Sequence, residues 1–136
     1  MAKSKNALSQ TLVQLSGAGQ TNDWAKYVLD LPMADPPGEF FEYSNCASYM
    51  IAAILDKATQ KNGLDFANEK LFSPLGIPAS KVKWPINSQG VIHGFGGITL
   101  RPIDMAKFGF LYLHKGLWDG NQVISEEWFI HPLKNK

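Results

Sequence analysis

The sequence has almost no sulfur chemistry to offer. A single cysteine, Cys46, in 136 residues excludes an intrachain disulfide and a cysteine metal cluster. It lies just inside an apolar run with no basic neighbour to lower its pKa, which predicts a small buried hydrophobe rather than a reactive thiol. Long apolar runs are missing too: "YMIAAIL" (49–55) is far too short to span a bilayer, so no membrane partner is expected. "MAKSKNALSQ" carries positive charge with no apolar core behind it, so it is no secretory signal, and the chain reads as cytoplasmic. Neither sign of charge dominates. Lys plus Arg number 13 against 12 Asp plus Glu, a net charge of +1, which argues against a nucleic-acid partner. His93, His114 and His131 show no metal-ligand spacing, so no metal and no cofactor is expected. "HGFGG" (93–97) lacks the Lys-Ser/Thr that would make it a phosphate loop.

What is present suits a globular chain, with 45% hydrophobic and 18% charged residues. Residues 1–10 are polar and expected to fray, and 11–136 are expected to form a single mainly α domain with a short hairpin and little sheet. "TNDWAKYVLDLP" predicts a helix capped by Asn22 or Asp23, with Trp24, Tyr27, Val28 and Leu31 at helical spacing and Pro32 beyond. A second helix runs to about Lys57, with Ser44 or Asn45 as cap and Tyr49, Met50, Ile51, Ile54, Leu55 and Ala58 as its apolar face. Gly63 is expected to close that element, and Leu64, Ala67 and Leu71 to share a face of a third helix. Residues 79–100 read as loops and short strands. "RPIDMAKFGFLYLHKG" predicts a helix with Pro102 in its first turn, an inner stripe of Met105, Phe108, Leu111 and Tyr112, and Lys115-Gly116 at its end. Asp119-Gly120 predicts a tight type I′ hairpin, and Ser125 a last helical turn.

The triplet Tyr43-Ser44-Asn45 sets a phenol, a hydroxyl and a carboxamide side by side where the longest helix begins. This is either a catalytic corner or a helix cap with a neighbouring tyrosine packed under the Pro36-Pro37-Gly38 turn. Trp24, Trp84, Phe95 and Trp118 are likewise either core or the wall of a ligand groove.

The blocks "LVQLSGAG", "PGEFFEYSNCASYMIAAILDKATQ", "FANEKLFSPLGI", "GFGGITLRPIDMAKFGFLYL" and "WDGNQVISEEWF", in this order, resemble the penicillin-recognising serine hydrolases: class C β-lactamases, D-alanyl-D-alanine peptidases and related esterases. The resemblance implies the helical subdomain of the β-lactamase/transpeptidase-like fold. It makes Tyr43 the candidate base and Asn45 the candidate substrate ligand, with Gly96 and Gly97 lining the cleft for a small acyl ligand. A phenol of pKa about 10 needs a nearby cation to act as a base at neutral pH. The family supplies it from lysines, one of them in a Ser-x-x-Lys pair ahead of the tyrosine.

That pair is absent before Tyr43; the one Ser-x-x-Lys in the chain is Ser80 to Lys83, in a segment that is variable and non-catalytic in the family. No Lys-Thr-Gly or His-x-Gly follows either, since His131-Pro132-Leu133 lacks the glycine. The resemblance therefore implies a truncated hydrolase domain, inactive alone. The alternatives are a ligand-binding or protein-interaction module on the same scaffold, or a minimal esterase with an unidentified nucleophile. Arg101 stands where relatives have a small hydroxyl cap, which implies a weaker helix start. The face of the 45–57 helix left bare by the missing sheet is expected to pair two copies into a homodimer.

Overall fold

Asp23 and Ser44 each start a helix by the same device. The Asp23 carboxylate accepts from the Lys26 amide at 2.9 Å ahead of α1, Trp24–Leu29. The Ser44 hydroxyl accepts from the Ala47 amide at 3.3 Å ahead of α2, Asn45–Thr59. Both satisfy a donor that the first helical turn would otherwise leave unpaired. The computed structural model describes residues 21–32, 36, 39 and 43–130. Expectations for the first twenty residues, for Pro37-Gly38 and for His131 lie outside them.

Cα packing divides the chain into two compact units, one running up to Gly63 and including Pro85–Gly97, the other made of Leu64–Trp84 and the chain from Ile98 on. In the first unit α1 packs on α2 through Trp24 and Tyr49, whose rings lie 5.5 Å apart. The inner face of α2 is not the one its large side chains suggest. Cys46, Tyr49 and Ala52 are buried, while Ile51 and Ile54 are exposed. Small residues face inward because another backbone comes close there: a Cβ on Gly94 would lie 2.3 Å from the Ser48 carbonyl oxygen and 3.2 Å from the Ala52 methyl. Cys46 is a buried hydrophobe, as its setting predicts, and burial pushes its thiol pKa up.

Gly63 does not close α2. That role falls to Gln60, left-handed at φ 55°. Gly63 is instead the buried first residue of α3, Gly63–Ala67, where a side chain would meet Ile92 and Asp56. The chain then widens into a π-helical turn, Asn68–Phe72, with the Ser73 amide donating to the Asn68 carbonyl at 2.9 Å. Leu64, Ala67 and Leu71 pack together, as their shared face predicts, against a core of Phe72, Leu75, Ile77, Val82 and Leu111.

That core receives α4, Pro102–Leu113, in an orientation the apolar pattern misses. Leu111 and Phe108 point inward, but Met105 and Tyr112 are exposed, and Asp104 is fully buried. Buried charge is tolerated only when paired, and here it is. Arg101 donates to both Asp104 oxygens, at 2.7 and 2.9 Å, and Lys107 reaches the Leu75 and Gly76 carbonyls at 2.8 and 3.0 Å. Arg101 stands at the cap position with no side-chain hydrogen bond to the first turn, and its guanidinium pairs with Asp104 instead. The far end closes as a Schellman motif, with Gly116 donating to Leu111 at 2.8 Å and Lys115 to Tyr112 at 3.1 Å. Strands β1, Leu117–Trp118, and β2, Asn121–Gln122, pair antiparallel across Asp119 and Gly120, at φ 45° and 75°. Positive φ at both turn residues is the type I′ geometry. Helix α5, Glu126–Ile130, follows Ser125, whose carbonyl accepts from Trp128. The architecture is mainly α with this hairpin and two isolated bridges, Lys83 with Thr99 and Ile86 with Ile92. Among the described residues no helix is long and apolar enough to cross a membrane.

Candidate functional site

Tyr43 and Asn45 flank the cap of α2. Because Ser44 is extended (φ −138°, ψ 124°), the side chains on either side of it turn the same way, and the Tyr43 hydroxyl donates to Asn45 Oδ1 at 2.7 Å. Tyr43 is 61% exposed. Pro37 and Gly38, in the turn beneath which it is expected to pack, lie outside the described residues. With Ser44 serving as the cap, neither neighbour is needed to hold the helix, and the phenol and carboxamide are left facing outward.

The glycine-rich loop belongs to the same unit. His93 donates its amide to the Pro85 carbonyl at 2.8 Å, and Gly96 donates to the His93 carbonyl at 3.2 Å. Gly94 lies against Ser48, one helical turn beyond Asn45, so the loop is seated on the first turns of α2. Gly96 and Gly97, at φ 150° and 82°, hold backbone conformations that L side chains rarely adopt, and nothing fills the space where a Gly96 side chain would lie.

The four aromatics divide. Trp84 and Trp118 pack on the core of the second unit. Trp24 and Phe95 sandwich the His93 ring, with centroids 5.3 and 5.0 Å away. Burial lowers the His93 pKa and favours neutral imidazole. Reading the sequence missed this placement, because the partner Trp24 lies far back in the chain. It also missed a polar relay behind the loop. The Asn87 carboxamide donates to the Tyr49 hydroxyl at 2.9 Å and accepts from the Gln89 and Val91 amides, both at 3.0 Å. Gln89 accepts from the Trp24 amide at 3.1 Å. The Asn-x-x-Gly run at 87–90 was the available signal, since it marks a turn built on an asparagine side chain.

Ser80 is no nucleophile of the Ser-x-x-Lys kind. It sits exposed in a 3₁₀ turn, Ala79–Lys81, after which Val82 is extended (φ −103°, ψ 128°). Lys83 is then held in a bridge to Thr99, at 3.2 and 2.7 Å, not one helical turn below the serine. His114 ends α4 as expected, its Nδ1 2.9 Å from the Phe110 carbonyl oxygen and its ring stacked on Phe110 at 3.8 Å. Among the described residues no group of three or more His, Cys, Asp or Glu is placed to hold a metal ion.

Chemically, the outward phenol–carboxamide pair can exchange a proton with a ligand and hydrogen-bond its carbonyl. Among the described residues, the hydrogen-bond partner of the phenol is Asn45 rather than a cation.

No curated protein sequence matches the chain. Among solved structures, a proposed 6-aminohexanoate-dimer hydrolase from Bacillus anthracis superposes with a TM-score of 0.69 at 22% identity over 77% of this chain. The chain spans 27% of that protein's length, and the likeness is one of fold. The β-lactamase family model matches residues 4–133, nearly the whole sequence, and the chain accordingly belongs to the β-lactamase family of serine hydrolases.

Proposed function

We propose that this chain carries the Tyr-x-Asn half of an acyl-transfer site and does not turn substrate over by itself. Tyr43 is the proton-transfer group, Asn45 the ligand for the substrate carbonyl, and Gly96 with Gly97 the cleft wall. The substrate class is an acyl compound: a β-lactam, a D-alanyl peptide, an ester, or a linear amide such as the one named for the Bacillus anthracis protein. The observation carrying this reading is the 2.7 Å hydrogen bond between the Tyr43 hydroxyl and Asn45 Oδ1 at an exposed helix start. The phenol donates in that bond, and the activating cation belongs with a nucleophile pair absent ahead of it in this sequence.

The test combines turnover with binding. Nitrocefin, p-nitrophenyl esters and the 6-aminohexanoate dimer are expected to hydrolyse no faster with this chain than with Tyr43→Phe. The same compounds are expected to shift the amide resonances of Tyr43, Asn45 and Gly97. A rate that drops in Tyr43→Phe or Ser80→Ala, or covalent labelling by a fluorophosphonate, would establish a minimal esterase and overturn the first half. Unshifted spectra across all three compound classes would overturn the second.

A further inference from the structure

Asn62-Gly63 is the one Asn-Gly pair in the sequence. Such a pair often makes a two-residue hairpin turn, but here it leads from α2 into α3. Asn-Gly is also the dipeptide that loses side-chain ammonia most readily, because glycine has no Cβ to shield its own amide nitrogen. In that reaction the glycine nitrogen bonds to the asparagine Cγ, the Cγ–Nδ2 bond breaks, and Nδ2 leaves as ammonia with the amide proton. Water then opens the cyclic imide at one of its two carbonyls, leaving aspartate or isoaspartate. The structure holds both reacting groups away from this step. Asn62 Nδ2 donates to the Gly90 carbonyl, which turns the side chain toward the 85–97 segment. Gly63 is the buried first residue of α3, and a Cβ on it would lie 3.0 Å from Ile92 and 3.1 Å from Asp56 Oδ1. Its amide is directed at the Asp56 carboxylate, whose pKa burial raises against the pull of that amide. All of these residues belong to the first unit.

We propose that Asn62 is a deamidation site kept intact by its bond to Gly90, and that its conversion to a carboxylate releases the 85–97 segment from the start of α3. Cyclisation needs the Asn62 side chain to leave the Gly90 carbonyl and swing onto the Gly63 nitrogen. It also needs that nitrogen to leave its helical setting. Both movements require a local opening of the fold, so the rate is set by how often Asn62 and Gly90 part. The product does not restore the contact. A carboxylate has no proton to donate, and it would set an oxygen against the Gly90 carbonyl oxygen with the Asp56 carboxylate beside the next residue. A hydrogen bond is thereby replaced by two facing acceptors. The isoaspartate product also lengthens the backbone by a methylene at the entry to α3. The segment released is the one that carries Gly96 and Gly97. The inference does not depend on the Tyr43–Asn45 chemistry.

The test incubates the native chain and the chain unfolded in urea side by side at mildly alkaline pH, and follows the peptide containing Asn62 by mass spectrometry. The change from amide to acid at Asn62 is expected to be at least about tenfold slower in the native chain. Equal rates overturn the protection, and an Asn62 that stays intact in urea overturns the site itself. The release is tested with Asn62→Asp and Asn62→Ala. Asn62→Ala removes only the donor, whereas Asn62→Asp also adds the facing acceptor, so the aspartate variant should have the lower urea midpoint. Its amide resonances at Gly90, Val91 and Ile92 should move from those of the parent. Refolding the urea-aged sample makes the same comparison without a variant, and its deamidated fraction should unfold at lower urea than the intact one. A deamidated fraction as stable as the intact chain, or an Asn62→Asp variant with unmoved resonances at Gly90 to Ile92, overturns the release.

Discussion

The Asn87 carboxamide donates to the hydroxyl of Tyr49 at 2.9 Å, joining the loop at 85–97 to the centre of α2 across 38 positions of sequence. Asn87 is buried, and its other end holds two backbone amides. Burial also pushes the Tyr49 phenol pKa up, with the Asn87 donor opposing that rise, so the hydroxyl stays neutral and acts only as a hydrogen-bonding group.

The two ends of this contact are not equivalent. Tyr49→Phe leaves one buried donor without a partner and should cost about 1–3 kcal/mol. Asn87→Ala leaves the Gln89 and Val91 amides without their acceptor and the Tyr49 hydroxyl with its 3.4 Å bond to Gln89 Oε1, and should cost more. Because the two share one network, the double variant should fall short of the sum of the single ones. Urea unfolding of the four proteins measures this. Strict additivity would show that the contact does no work in solution.

Gly94 makes the second join. A methyl group there would lie 2.3 Å from a backbone oxygen that belongs to a helix and cannot swing aside. Gly94→Ala should therefore displace the 93–97 loop from α2 and destabilise the chain by about 1–3 kcal/mol. Amide shifts concentrated at Ser48 and at residues 93–97 would report the displacement. A variant as stable as the parent, with unchanged shifts at Ser48, would remove the seating of the loop on α2.

Within Tyr43-Ser44-Asn45 the fold and the chemistry depend on different residues. Ser44 supplies the cap, so Ser44→Ala should cost about 1 kcal/mol. Tyr43 is exposed and its hydroxyl donates to its neighbour's carboxamide, so Tyr43→Phe should stay within about 0.5 kcal/mol of the parent. Thermal unfolding ranks the two directly. A Tyr43→Phe loss as large as that of Ser44→Ala would mean that the tyrosine is structural and would weaken its assignment to proton transfer.

Local signals were the legible ones. Asp23 and Ser44 as caps, Pro102 at a helix start, Lys115-Gly116 at its end and Asp119-Gly120 in a hairpin all follow from chemistry confined to a few neighbouring residues. What failed was the choice of face on α2 and α4. Hydrophobic spacing assumes that the largest apolar side chains turn inward, which holds only when nothing else claims the interior. In α2 the claimant is the Gly94 backbone, which lies against Ser48 and the Ala52 methyl and leaves Ile51 and Ile54 on the exposed side. In α4 it is the Arg101–Asp104–Lys107 set, whose partners Leu75 and Gly76 lie some thirty residues earlier. The same limit hid the His93 sandwich and the Asn87 relay. Tyr43, Asn45, Gly96 and Gly97 came from the resemblance and stand as a proposal.

The Arg101–Asp104–Lys107 set makes the last prediction one about acid. The hydrogen bond from Arg101 holds the Asp104 pKa below the ordinary carboxylate value of 3.8, with the Arg101 and Lys107 charges adding to it and desolvation opposing. Asp104 therefore releases its proton more readily folded than unfolded. The stabilisation from this is complete above the unfolded value and is lost as the pH falls through the lowered folded one. Asp104→Asn keeps the shape of the side chain but removes its charge. Its stability deficit should be widest near neutral pH and should shrink as the pH falls below the ordinary value of 3.8 and through the lowered folded one, where the parent carboxylate is protonated. Urea midpoints of parent and variant across this range supply the comparison. A deficit that stays constant into acid would mean that Asp104 holds α4 by shape and neutral hydrogen bonds alone, and the charged role would have to be given up.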